Sequence, residues 1–66
     1  MFIGYSESTL WNNIAKQMAE IQSEHYWLEY YTARKETDCM EYCVQNIMDS
    51  CKAIMENIEN LKGEKM

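Results

Sequence analysis

Sixty-six residues with 11 acidic and 6 basic side chains, net charge −5, make one small domain. A lone chain of this size seldom buries enough apolar surface to stand without a staple or a partner. The acidic balance excludes non-specific binding to a nucleic-acid backbone, which needs clustered Lys and Arg, and no apolar run nears the about 20 residues of a membrane span.

Residues 1–6 read as a short tail. Met1-Phe2-Ile3 lacks the basic region and length of a signal peptide, so the cytoplasm of a host cell is the expected location. Gly4 and Gly63 are the only glycines and there is no proline, so nothing between them forbids helix. Helix one is predicted over 7–33, capped by Ser6 or Ser8, with Glu7 at the positive end of its dipole. Its apolar stripe is Trp11, Ile14, Met18, Ile21, His25, Leu28 and Thr32, in steps of three and four that share one face. Extended, that stripe would run into Lys35, Cys39, Tyr42, Asn46 and Asp49, which make no buried seam.

A second stripe starts one residue late: Met40, Val44, Ile47, Cys51, Ile54, Ile58 and Leu61. One residue is a rotation of about 100° about a helix axis, so the chain must break. The polar run Arg34-Lys35-Glu36-Thr37 marks the turn, at 34–37. Asp38 with Glu41 reads as a capping box for helix two, with Thr37 as a competing cap. Helix two is predicted over 38–62, with Gly63 as its stop. Folded back at the turn, the stripes meet: Leu28 faces Cys43 or Val44, Ile21 faces Cys51, Met18 faces Ile54, Ile14 faces Ile58 and Trp11 faces Leu61. The expected fold is all-α: an antiparallel two-helix hairpin with a short N-terminal tail.

Two helices cover only one side of each other. Left over are Tyr26, Trp27, Tyr30 and Tyr31 at the end of helix one, and Met48 and Met55 on helix two. Patches of Tyr, Trp and Met are typical of interfaces, so these six residues are the expected contact surface of a homo-oligomeric helical bundle. Arg34 and Lys35, beside the aromatics, are a candidate anion site; their plain role is to complement the helix dipole.

Other chemistry is sparse. Three cysteines cannot all pair within one chain, and Cys39 and Cys43 lie one turn apart, a poor geometry for a bridge. They read as reduced, small hydrophobes. His25 with these cysteines matches no common zinc spacing, and a polar residue within a seam more often fixes register. No nucleophile with a base, no paired carboxylates in a cleft and no phosphate-cradling glycine loop can be placed. The sequence reads as a non-enzyme without metal or cofactor.

Three short segments remain: Gly4-Tyr5, Asn12-Asn13-Ile14-Ala15-Lys16 and Thr37-Asp38. In these the chain resembles the phage-encoded helical-hairpin sponges that counter cyclic-nucleotide immune signalling, the CBASS and Thoeris antagonists. The match covers about a third of the chain. It departs in one extra residue between Ile14 and Lys16, a Tyr-to-Lys spacing about one turn short, and Glu41-Tyr42-Cys43 in place of a Gly-Phe-Met-like stretch. The resemblance implies a phage or mobile-element protein that sequesters a cyclic nucleotide or related signal between protomers. Tyr5 would stack on the base and Lys16 would meet the phosphate; Trp11 and Asn12 are further candidate ligand residues. The residues by themselves support two other readings: an acidic helical inhibitor that blocks a host protein (defence or regulatory), and a purely structural assembly module.

Overall fold

The computed structural model describes residues 7–64. They form an antiparallel hairpin of two 28-residue helices, α1 (Glu7–Arg34) and α2 (Thr37–Glu64). The cap expected at Ser6 lies outside the described residues. Among those residues no helix is long and apolar enough to cross a membrane.

The turn is tighter than the four residues expected. The N–H of Lys35 donates to the Thr32 carbonyl and that of Glu36 to the Tyr31 carbonyl, both at 3.0 Å, while Lys35 has φ 59°. This pair of bonds around a left-handed residue is a Schellman motif. Arg34 therefore stays helical, and Lys35 and Glu36 alone connect the helices. The Glu36 carbonyl accepts the Met40 N–H at 3.0 Å, so Glu36 occupies the cap position in place of Asp38 or Thr37. Across the turn the Arg34 Nε donates to a Glu36 carboxylate oxygen at 2.7 Å. α2 also runs through Gly63, since one glycine lowers helix stability by about 1 kcal/mol without forbidding it.

Lys35 sits in a conformation that costs a side chain with a Cβ about 1–2 kcal/mol. Lys35→Gly relieves that cost and adds backbone entropy to the unfolded chain. The net gain should be about 1 kcal/mol, a rise in Tm of about 4–8 °C for a chain this short. Thermal melts followed by circular dichroism check it; a lower Tm would mean that Lys35 makes a contact worth more than its strain.

The seam is rotated from the one the stripes suggest. Trp11 and Met18 are 54% and 50% exposed, Val44 is 42% exposed, and His25, Thr32 and Cys51 also lie at the surface. On α1 the inward positions include Leu10, Asn13, Ile14, Gln17, Ile21, Glu24, Leu28 and Tyr31; on α2 they include Cys43, Asn46, Ile47, Ser50, Ile54, Asn57 and Leu61. Ile14, Ile21, Leu28, Met40, Ile47, Ile54, Ile58 and Leu61 keep their expected place, and the others move to the flank. The cause is polar pairing and small side chains within the seam. Asn13 Nδ2 donates to Asn57 Oδ1 at 3.4 Å across the helices. Cys43 and Ser50 are 1% and 6% exposed, and small residues at such positions let the two helices approach. The axial register is close to the expected one: Ile14, Ile58 and Leu61 share one cluster with Leu10 and Ile54 at the open end.

Candidate functional site

The hairpin has two unlike faces, set by which side of the seam each heptad column lies on. On one side Gln17, Glu20, Ser23 and Glu24 of α1 meet Asn46, Asp49 and Ser50 of α2 around a polar groove of about 410 Å³. Among the described residues three carboxylates line it and no cation does. One heptad nearer the turn, about 10 Å along the axis, the same columns change character. Glu20 gives way to Trp27, Ser23 to Tyr30, Glu24 to Tyr31 and, on α2, Asp49 to Tyr42.

Those aromatics of α1, with Tyr26, form a connected cluster. Trp27 meets Tyr26 edge-on at 5.3 Å between ring centroids and Tyr30 edge-on at 5.6 Å. It stacks with Tyr31 at 6.0 Å, and Tyr30 meets Tyr31 at 5.4 Å. Tyr42, Tyr26 and Tyr30 stay 69%, 62% and 45% exposed. The Arg34 guanidinium already lies over the Tyr30 ring, 5.4 Å from its centroid, a cation–π contact made with the protein's own cation. Arg34 is also paired with Glu36. That pairing draws the Glu36 carboxyl below its ordinary pKa and raises that of Arg34, while burial pushes the Tyr31 phenol up.

No family model, curated protein or solved structure matches this chain.

The described residues of the expected ligand set do not all converge within one hairpin. Tyr5 lies outside the described residues. Trp11 is on the opposite, apolar face, its indole N–H 3.3 Å from a Glu7 carboxylate oxygen. Asn12 and Lys16 are exposed on α1. Lys16 precedes Arg34 by eighteen positions, about 27 Å along the helix, and Lys35 is exposed at the turn. The expected contact residues also divide in two. Tyr26, Trp27, Tyr30 and Tyr31 touch one another in the aromatic cluster, whereas Met48 and Met55 lie together on another face of α2.

His25 is exposed, with its imidazole 3.8 Å from Glu29, and Cys43 is buried within the seam. Among the described residues no three His, Cys, Asp or Glu side chains lie together as a metal site.

The acidic groove is the part that sequence reading missed. Gln17, Glu20 and Ser23 look like the outer face of α1 once Met18 and His25 are placed in the seam. The available signal was the heptad recurrence of polar residues at Gln17 and Glu24 on α1, and at Ser50 and Asn57 on α2, with Asn46 one turn before Ser50.

Proposed function

We propose that this chain is a non-enzymatic binding protein that captures a basic segment of a partner protein on its acidic and aromatic face. The observation that carries this reading is the one-heptad junction between the groove of Glu20, Glu24 and Asp49 and the exposed rings of Trp27, Tyr30 and Tyr42. Carboxylates attract Lys and Arg, and aromatic faces accept the same cations. An amphipathic basic helix or strand offers both to the two halves of the face at once.

This is the acidic-inhibitor reading, and the groove favours it over nucleotide capture. A phosphate brought to the groove meets three carboxylates. Lys16 stands far from Arg34, whose charge is engaged by Glu36. A nucleotide pocket would therefore have to be assembled between copies of the chain.

Titration of a Lys/Arg-rich amphipathic peptide into the Trp11→Phe variant, followed by the fluorescence of Trp27, tests the proposal. Binding in the micromolar range is expected, weakened about tenfold between 0.05 and 0.3 M salt, as screening of exposed charge requires. Glu20→Gln with Glu24→Gln should weaken it further. Saturable heat with a cyclic dinucleotide and none with basic peptides would overturn the proposal in favour of the sponge.

A further inference from the structure

α2 carries a second apolar stripe that its own chain leaves open except at Ile58, which also packs against the core. Glu41, Val44, Met48, Cys51, Met55, Ile58 and Lys62 follow one another in steps of three and four and so share a face. Met48 and Met55 are 58% and 54% exposed and Val44 is 42% exposed. Trp11 extends the surface onto α1, where it lines one groove with Ile58, Leu61 and Lys62. Soluble monomers seldom leave so continuous an apolar patch to water.

The stripe is close to symmetric about its middle. Met48 and Met55 lie equally far from the midpoint between Cys51 and Lys52, and so do Glu41 and Lys62; Val44 and Ile58 lie equally far from Cys51. The ends carry opposite charges, and among the described residues neither Glu41 nor Lys62 has an ion-pair partner. We infer that the chain pairs with a second copy through this stripe, the two α2 helices antiparallel about a two-fold axis near Cys51, closing a four-helix bundle.

Turning the second copy end over end sets Met48 against the partner's Met55, Val44 against the partner's Ile58 and Glu41 against the partner's Lys62. A parallel pair would instead oppose Glu41 to Glu41 and Lys62 to Lys62. The face is large enough. From Glu41 to Lys62 it is about 32 Å long, and the hairpin is about two helix diameters wide. The projected area is on the order of 600 Å², near the about 800 Å² per partner of a stable association. The chain also has reason to pair: among the described residues the buried apolar side chains of its own core are Leu10, Ile14, Cys43 and Leu61. The dimer leaves the acidic and aromatic face open and does not depend on what that face binds.

Sedimentation equilibrium of the full chain, of 7.9 kDa, tests the pairing. A dimer of about twice that mass is expected. Met48→Glu places a charge in the apolar contact twice over and should raise the dimer Kd at least about a hundredfold. Glu41→Lys turns two attractions into repulsions and should raise it about tenfold. Adding Lys62→Glu to Glu41→Lys restores opposite charges and should return the Kd close to that of the unaltered chain. Glu41 and Lys62 are both exposed on the hairpin, so this reversal separates association from folding. A chain that stays monomeric at about 0.1 mM, a dimer indifferent to Met48→Glu, or a double reversal no better than Glu41→Lys alone would each overturn the inference.

Discussion

Leu10→Ala should remove about 3 kcal/mol of stability, most of what a hairpin of this size possesses. Leu10 is 1% exposed and closes the open end of the hairpin against Ile14, Ile54, Ile58 and Leu61. Truncating it leaves a cavity bounded by helices that are held apart by the remaining isoleucines, so collapse can recover little of the loss. The neighbouring Trp11→Ala removes a larger side chain, yet should cost the hairpin under about 1 kcal/mol, as substitutions at exposed sites usually do. The indole is 54% exposed and its polar contact is with exposed Glu7. Urea unfolding in dilute solution, followed by circular dichroism, ranks the two variants. If Trp11→Ala proved the more damaging, Trp11 would belong to the seam and both helices would have to turn by one residue.

That ranking separates what the sequence discloses from what it withholds. The hairpin was legible because the two stripes differ in phase and because Arg34-Lys35-Glu36-Thr37 is polar where they part. The rotation of the helices was not. On α2 the column Met40, Ile47, Ile54 and Leu61 belongs to either of two seams. Its companions on one side are Val44, Cys51 and Ile58; on the other they are Cys43, Ser50 and Asn57. Hydropathy prefers the first set, whereas the hairpin packs the second and, from the first, Ile58 alone. Cys43 and Ser50 are small, and Asn57 accepts a hydrogen bond from Asn13, a pairing that no count along one helix can reveal. The aromatic half of the candidate site was legible in the run from His25 to Tyr31. The acidic half was not, because Asn46, Asp49 and Ser50 join Glu20 and Glu24 only once the rotation is known. The left-handed conformation at Lys35 was equally hidden, since Gly or Asn usually marks it.

Cys43→Asp should be more damaging still, shifting the folding equilibrium by about a thousandfold toward the unfolded chain, because a buried charge without a partner must be neutralised or exposed. Cys43 is 1% exposed. Glu24 packs against it across the seam and, after burial itself, helps to push the thiol above its ordinary pKa. An aspartate there meets the same desolvation and the same repulsion with a full charge. Glu24→Lys in the same chain should therefore recover part of the loss by supplying a counter-charge, whereas Glu24→Lys at an unaltered Cys43 has none to answer. Cys51→Asp lies outside the seam and should leave the hairpin's own stability nearly unchanged in dilute solution. The unaltered thiol offers an independent reading through pH. A group held in its protonated form by folding contributes stability that is fully present below its unfolded pKa, about 8.5 for a thiol, and is lost as pH rises through the folded value. Cys39 is raised in the same direction, by burial and then by its hydrogen bond to Glu36. Stability should accordingly fall on the alkaline side, and Cys43→Ala should flatten that fall while Cys51→Ala should not. An alkaline profile unmoved by Cys43→Ala would place the thiol in water and the seam elsewhere.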